Sequence, residues 1–214
     1  MIKACIFDLD GVIVDTAHYH FLAWKRLADE LGIPFTEVEN ERLKGVSRMQ
    51  CLAIILELGN LHLDKKIMET LADKKNSWFV EFVNTMKPDE IFPNVKGLLT
   101  KLRKKGIKIG LASSSKNAPA VIHLLNIQNL FDATVDGTMI VHSKPDPEIF
   151  LLAASMLNMK PEECLVFEDA EAGVEAAVAA GMKCIGIGSA DQLSKANLVI
   201  SKTGDFNPDT LNFL

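Results

Sequence analysis

Two aspartates one residue apart, Asp8 and Asp10, close the apolar run Ala4–Phe7, and Gly11 follows them. Side chains two apart on a strand point the same way, so both carboxylates can approach one point. Like charges that close need a divalent cation between them, or one must take up a proton. The first option serves metal binding and the second serves acid–base work. CLVFEDAEAG repeats the design: the apolar run Cys164–Phe167 enters Glu168 and Asp169, then a small residue and a helix. Oxygen-rich donor sets of this kind suit Mg²⁺, which keeps waters and takes one or two carboxylates plus a substrate phosphate. Alone, Glu168 and Asp169 read as the capped start of a helix. Together with Asp8 and Asp10 they read as a metal site.

Two further stretches carry groups for an anion. LASSSKN, after a run ending at Ala112, offers Ser113, Ser114, Ser115 and Asn117. Hydroxyls and backbone N–H groups at a strand-to-helix junction form a phosphate-binding corner. HSKPDPEIF sets Lys144 before a proline-stiffened helix start. A cation held there can balance a nucleophilic carboxylate and a phosphoryl group.

The elements that must position these groups are legible as apolar runs. Lys3–Phe7, Lys108–Ala112, Ala133–Val135, Cys164–Phe167, Lys183–Ile187 and Leu198–Ile200 are continuous and not alternating, as parallel strands covered on both faces require. Helical patterns lie between them: Asn94–Lys105 stops at Gly106, Pro147–Leu157 starts on proline, and Glu171–Ala180 stops at Gly181. Strand alternating with helix predicts a doubly wound, mostly parallel Rossmann-like α/β sheet. Its ligands belong in the crevice at the strands' carboxyl ends.

From Ala17 to Pro88 the pattern is helical only. His20, Trp24, Leu27 and Leu31 share a stripe, and Leu52, Ile55, Leu56 and Leu58 continue the theme. The economical organisation is an α/β catalytic core of residues 1–14 and 93–214 with a helical-bundle cap domain, 15–92, inserted after the first strand. Pro88 and Pro93 mark the return. Connections of this kind let a lid open and close in a monomer.

Composition narrows the partners. With 214 residues, 48% of them hydrophobic and 24% charged, the chain has the balance of a globular protein. A net charge of −5 argues against nucleic acid or an anionic membrane as the main partner. Four cysteines without metal spacing read as small hydrophobes in a reducing compartment, and no apolar stretch approaches a membrane span. The expected location is the cytoplasm.

In this order, DxDGxxxDT, the serine after the second strand, the lysine before a helix and the late Glu-Asp pair resemble the four motifs of the haloacid dehalogenase-like superfamily, over the whole chain. The resemblance implies that Asp8 is a nucleophile toward phosphorus and Asp10 the general acid/base. It implies Mg²⁺ on the Asp8 carboxylate, the Asp10 backbone carbonyl and Asp169, with Glu168 close by. Ser113 and Lys144 would hold the transferring phosphoryl group, a division of labour suited to phosphoryl transfer.

The helical segment adds Thr16, His18, His20 and Trp24, then LKGVSRMQ with Lys44, Gly45, Ser47 and Arg48, then Lys74, Lys75 and Asn76. With these residues the chain is similar to the bacterial β-phosphoglucomutases within that superfamily. That likeness implies interconversion of β-D-glucose 1-phosphate and glucose 6-phosphate through β-glucose 1,6-bisphosphate. Arg48, Lys75 and Asn76 would hold the distal phosphate. Thr16, His20, Trp24, Lys44, Gly45 and Ser47 would line the sugar side, and His20 would position or relay for Asp10. Two departures stand out: Cys51 and Ala170 occupy positions where the pattern often has serine. A sugar-phosphate phosphatase using the same core residues is the rival expectation.

Overall fold

The computed structural model describes residues 1–43 and 46–213. Its strands are β1 (Ala4–Phe7), β2 (Lys108–Ala112), β3 (Ala133–Val135), β4 (Cys164–Glu168), β5 (Lys183–Ile187) and β6 (Leu198–Ile200). They form one parallel sheet in the order β3-β2-β1-β4-β5-β6. The continuous apolar runs are the reason: every residue of β1 and β4 is buried, so both faces must be covered. The helices are α1 (Ala17–Glu30), α2 (Glu37–Asn40), α3 (Arg48–Leu58), α4 (Lys65–Val83), α5 (Val95–Lys104), α6 (Ala118–Leu124), α7 (Glu148–Met156) and α8 (Glu171–Ala179).

The chain forms two compact units, Met1–Asp15 with Lys87–Leu214, and Thr16–Met86. In the first, α7 packs on β1, β2 and β3, and α8 on β4 and β5. Ile6, Val166 and Cys184 meet Ile149, Phe150, Val174 and Ala177 in a fully buried layer. Strand side chains alternate, so Phe7 and Phe167 fall on the opposite face. There their rings stack at 4.4 Å, and Phe206 packs edge-on against Phe167 at 5.0 Å. α5 buries Val95, Leu98, Leu99 and Leu102 and packs on β2. Truncating a core phenylalanine of this kind costs about 3–5 kcal/mol.

The second unit is built of helices, with no strand among its described residues, and α4 packs on both α1 and α3. Trp24, Leu27, Leu52, Ile55, Phe79 and Val83 supply its core. Ser47 begins α3 in a reciprocal capping box with Gln50: Ser47 N donates to Gln50 Oε1 at 3.0 Å, and Gln50 N to Ser47 Oγ at 3.4 Å. Asp64 starts α4 by accepting from Ile67 N at 2.9 Å. No helix among the described residues is long and apolar enough to cross a membrane.

Candidate active site at the carboxyl edge of the sheet

The order of the sheet places its switch point between β1 and β4, the neighbours from which successive crossovers run in opposite directions. Their register pairs Phe7 with Phe167, and Asp8 N continues the ladder to Phe167 O at 2.9 Å. The next residues on the two strands are therefore both acidic, Asp8 and Glu168, and both are buried. Asp169 follows at once. One oxygen from each of Asp8, Glu168 and Asp169 lies within 4.8 Å of the others. Asp10 follows on the turn after β1, half-buried.

Gly11 shows how closely the two acidic turns approach. Its φ is +73°, and a Cβ there would sit 2.0 Å from Asp169 Oδ2. Only glycine satisfies both the left-handed backbone and the missing volume.

Lys144 enters this acidic group from the loop before α7. Its Nζ donates to Asp8 Oδ1 at 2.5 Å, to Glu168 Oε2 at 2.8 Å and to Ala112 O, the end of β2, at 3.5 Å. The loop is tied by Glu148, which accepts from Val141 N at 2.9 Å and His142 N at 2.7 Å, while Asp146 Oδ1 accepts from Glu148 N at 2.9 Å. Burial alone would push the Lys144 ammonium down; Asp8 and Glu168 beside it hold it above its ordinary value. Burial pushes Glu168 up to about 7 although Lys144 opposes it. Burial, with Glu168, Asp8 and Asp10 adding to it, pushes Asp169 up to about 8. One cation thus faces a surplus of carboxylates. A hard divalent ion fits this donor set, which is all oxygen, buried and short of positive charge.

Ser113 ends β2, buried, and its N–H donates to Val135 O at 3.0 Å. Ser115 N donates to Ser113 Oγ and Asn117 N to Ser115 Oγ, both at 3.2 Å, and the turn feeds α6. The buried Ser114 hydroxyl finds no hydrogen-bond partner among the described residues. This edge brings together Asp8, Glu168, Asp169, Lys144 and the Ser113 turn.

The helical unit gathers a different set. Lys75, 2% exposed on α4, sends Nζ to His20 Nδ1 at 2.7 Å and over the Trp24 and Phe79 rings at 4.4 and 5.0 Å. His20 stacks on Phe79 at 3.9 Å. Burial first, then Lys75 and Arg48, hold the His20 imidazole well below its usual range. It is neutral, accepts the lysine proton at Nδ1, and so carries its own proton on Nε2. Arg48, at the start of α3, pairs with Asp73 at 3.6 Å. Asn76 follows Lys75, half-buried, and the buried Thr16 hydroxyl has no hydrogen-bond partner among the described residues. Lys44 and Gly45 lie outside the described residues. Cys51 is buried with Sγ 3.5 Å from Leu43 O, and Ala170 N donates to Glu168 Oε1 at 3.1 Å.

A parallel sheet in this order, with paired carboxylates and a buried lysine at its switch point, defines a Rossmann-like α/β enzyme core. The chain belongs to the haloacid dehalogenase-like hydrolases: the profile of that family matches residues 2–181. It is 45% identical over 212 residues to Beta-phosphoglucomutase of Bacillus subtilis, covering 98% of this chain and 94% of that one. It is 36% identical to Phosphorylated carbohydrates phosphatase of Thermotoga maritima, over 86% of this chain and 83% of that one. Among solved structures, beta-phosphoglucomutase (pgmB) from Clostridium difficile matches with a TM-score of 0.96 at 41% identity, covering 100% of this chain and 96% of that one.

Proposed function

We propose that the chain interconverts β-D-glucose 1-phosphate and glucose 6-phosphate through an aspartyl-phosphate enzyme. The observation that carries the phosphoryl-transfer half of this reading is Asp8, held by the buried Lys144 at the switch point beside the carboxylates of Glu168 and Asp169. Likeness to the Bacillus and Clostridium mutases over nearly the full chain supports the choice of reaction.

In the proposed cycle the C6 hydroxyl of β-glucose 1-phosphate attacks the phosphorylated Asp8. The bond from phosphorus to the Asp8 oxygen breaks, and Asp10 takes the hydroxyl proton. The β-glucose 1,6-bisphosphate formed turns round. Asp8 then attacks the C1 phosphate, the bond to the C1 oxygen breaks, and Asp10 returns its proton to that oxygen. Glucose 6-phosphate leaves and the phosphoenzyme is restored. Lys144 and the Ser113 hydroxyl steady the transferring group. Asp8, Asp169 and the Asp10 carbonyl, with Glu168 close by, would hold Mg²⁺, which supplies charge neutralisation at the phosphoryl oxygens. Arg48, Lys75 and Asn76 take the non-reacting phosphate, and Thr16, His20, Trp24, Lys44, Gly45 and Ser47 the sugar. With its proton on Nε2, His20 is a donor for a sugar hydroxyl.

The second reading, hydrolysis of a sugar phosphate, is favoured by the likeness to the Thermotoga phosphatase. It differs only in the acceptor, water in place of a sugar hydroxyl. A coupled assay separates them. Mutase action gives glucose 6-phosphate from β-glucose 1-phosphate, accelerated by trace β-glucose 1,6-bisphosphate; release of inorganic phosphate without glucose 6-phosphate selects hydrolysis.

A further inference from the structure

Gly173 stands inside α8, where alanine is the better helix former. Its φ lies outside the left-handed region, so backbone conformation does not demand glycine. What does demand it is a neighbour. A Cβ at 173 would lie 2.0 Å from Glu168 Cδ, 2.3 Å from Oε2 and 2.4 Å from Cγ. These are the nearest atoms it would meet, and all belong to one side chain. Glu168 has no room to step aside: it is 1% exposed, its Oε2 receives Lys144 at 2.8 Å and its Oε1 receives Ala170 N at 3.1 Å. The missing methyl of Gly173 is therefore the space that the Glu168 carboxylate occupies.

We infer that Gly173 is a positioning residue for phosphoryl transfer: its bare Cα lets Glu168 hold Lys144, and through Lys144 the nucleophilic oxygen of Asp8. The chain of contacts is continuous, from Gly173 to Glu168, to Lys144 Nζ and to Asp8 Oδ1. Filling the space drives the carboxylate off Lys144, which then loses one of its two acidic partners. Gly173 touches neither substrate nor reacting atoms, so its effect belongs on turnover and not on binding. The inference rests on the phosphoryl-transfer reading above for its kinetic arm only.

Four proteins test it: the native enzyme, Gly173→Ala, Glu168→Ala and the double variant. Each is measured for kcat and KM with β-glucose 1-phosphate plus trace bisphosphate, for phosphate release, and for Tm. Gly173→Ala lowers kcat about 10–100-fold, the range for residues that orient a site from behind, with KM little changed. In the Glu168→Ala background the clash is gone. There the same substitution leaves kcat where Glu168→Ala set it and raises Tm, because the helix gains an alanine. A Gly173→Ala enzyme with native kcat overturns the inference, and so does an equal loss of kcat in both backgrounds. If Gly173→Ala alone does not fold, a double variant more stable than Glu168→Ala supports it, and one no more stable overturns it. A native enzyme that turns over neither way defeats the functional reading instead, and the Tm pattern then decides the role of Gly173.

Discussion

Lys144 and Asp8, 136 residues apart in the chain, meet at 2.5 Å with side chains 1% and 9% exposed. β1 delivers the carboxylate and the Glu148-tied loop before α7 delivers the ammonium. Neither charge survives burial alone, since an unpaired ion in the interior is strongly disfavoured. The contact fixes the rotamer of the proposed nucleophile while leaving its second oxygen to other ligands.

Removing the lysine therefore damages two properties at once. Lys144→Met lowers kcat about 10²–10³-fold, the loss typical of one preorganised charge-stabilising donor. It also destabilises the fold by about 3–5 kcal/mol, because Asp8 and Glu168 are left buried without their cation. Steady-state kinetics and urea unfolding check both; a variant with native turnover contradicts the assignment.

The acidic cluster sets the pH response of the metal-free protein. Glu168 rises from its ordinary 4.5 to about 7 and Asp169 from 3.8 to about 8, burial being the main cause. Between these limits the two carboxyls bind more protons in the native state than in the unfolded chain, so their contribution to stability falls as pH rises, while the neutral His20 opposes them below about 6.5. In chelator, Tm declines from about pH 6.5 to about pH 8. Adding Mg²⁺ raises Tm most at the alkaline end, where the carboxylates are ionised and need no proton displaced. A Tm that is flat in chelator and indifferent to Mg²⁺ from pH 5 to pH 8.5 contradicts this picture.

In the proposed cycle Asp10 transfers the proton. Asp10→Ala keeps metal and ligand binding by calorimetry and loses about 10²–10⁴ in rate, the range for a positioned acid or base. An unchanged rate removes Asp10 from the chemistry.

Most of the core was legible in the sequence because its signal is redundant. Predicted strands at Lys108–Ala112, Ala133–Val135, Lys183–Ile187 and Leu198–Ile200 coincide with β2, β3, β5 and β6, and β1 and β4 differ by one residue at one end. Buried parallel strands read as unbroken apolar words, and Gly106 and Gly181 punctuate the helices between them; the edge strand β6 departs from the expected two-sided cover, with Leu198 exposed and Val199 and Ile200 half-buried. Helix α6 escaped notice: its seven residues follow a serine-rich turn and contain Pro119, too short a stretch for helical periodicity to emerge.

The partnerships inside the sites were less visible. Spacing drew Asp8, Asp10, Glu168 and Asp169 together, but nothing in it says that Lys144 spans Asp8 and Glu168, which is a fact of register between β1 and β4. Lys75 reads from sequence as one of a run of basic residues. In the fold it is the run's buried member, turned onto His20 and Trp24, while Lys74 stays exposed and pairs with Glu30. Gly173 left one faint sign, a glycine in the middle of a helix without a turn to justify it.

In the proposed reading Arg48 takes the distal phosphate. It pairs with Asp73 at 3.6 Å, and that carboxylate is exposed, so the pair is weak and solvent-screened. Arg48→Ala removes charge-assisted bonds of about 1.5–3 kcal/mol. We expect KM for β-glucose 1-phosphate to rise about 10–100-fold by the same measure, with a smaller loss on an aryl phosphate that lacks a second phosphate. Equal losses on both substrates remove Arg48 from distal-phosphate binding.

The central claim is that one side chain, Asp8, carries the phosphoryl group. The enzyme is charged with β-glucose 1,6-bisphosphate, quenched in acid and reduced with borohydride, which converts an aspartyl phosphate to homoserine, and its peptides are mapped by mass spectrometry. Homoserine is expected at position 8 and nowhere else. Homoserine at position 10, or a phosphoryl group recovered on any other residue, contradicts it.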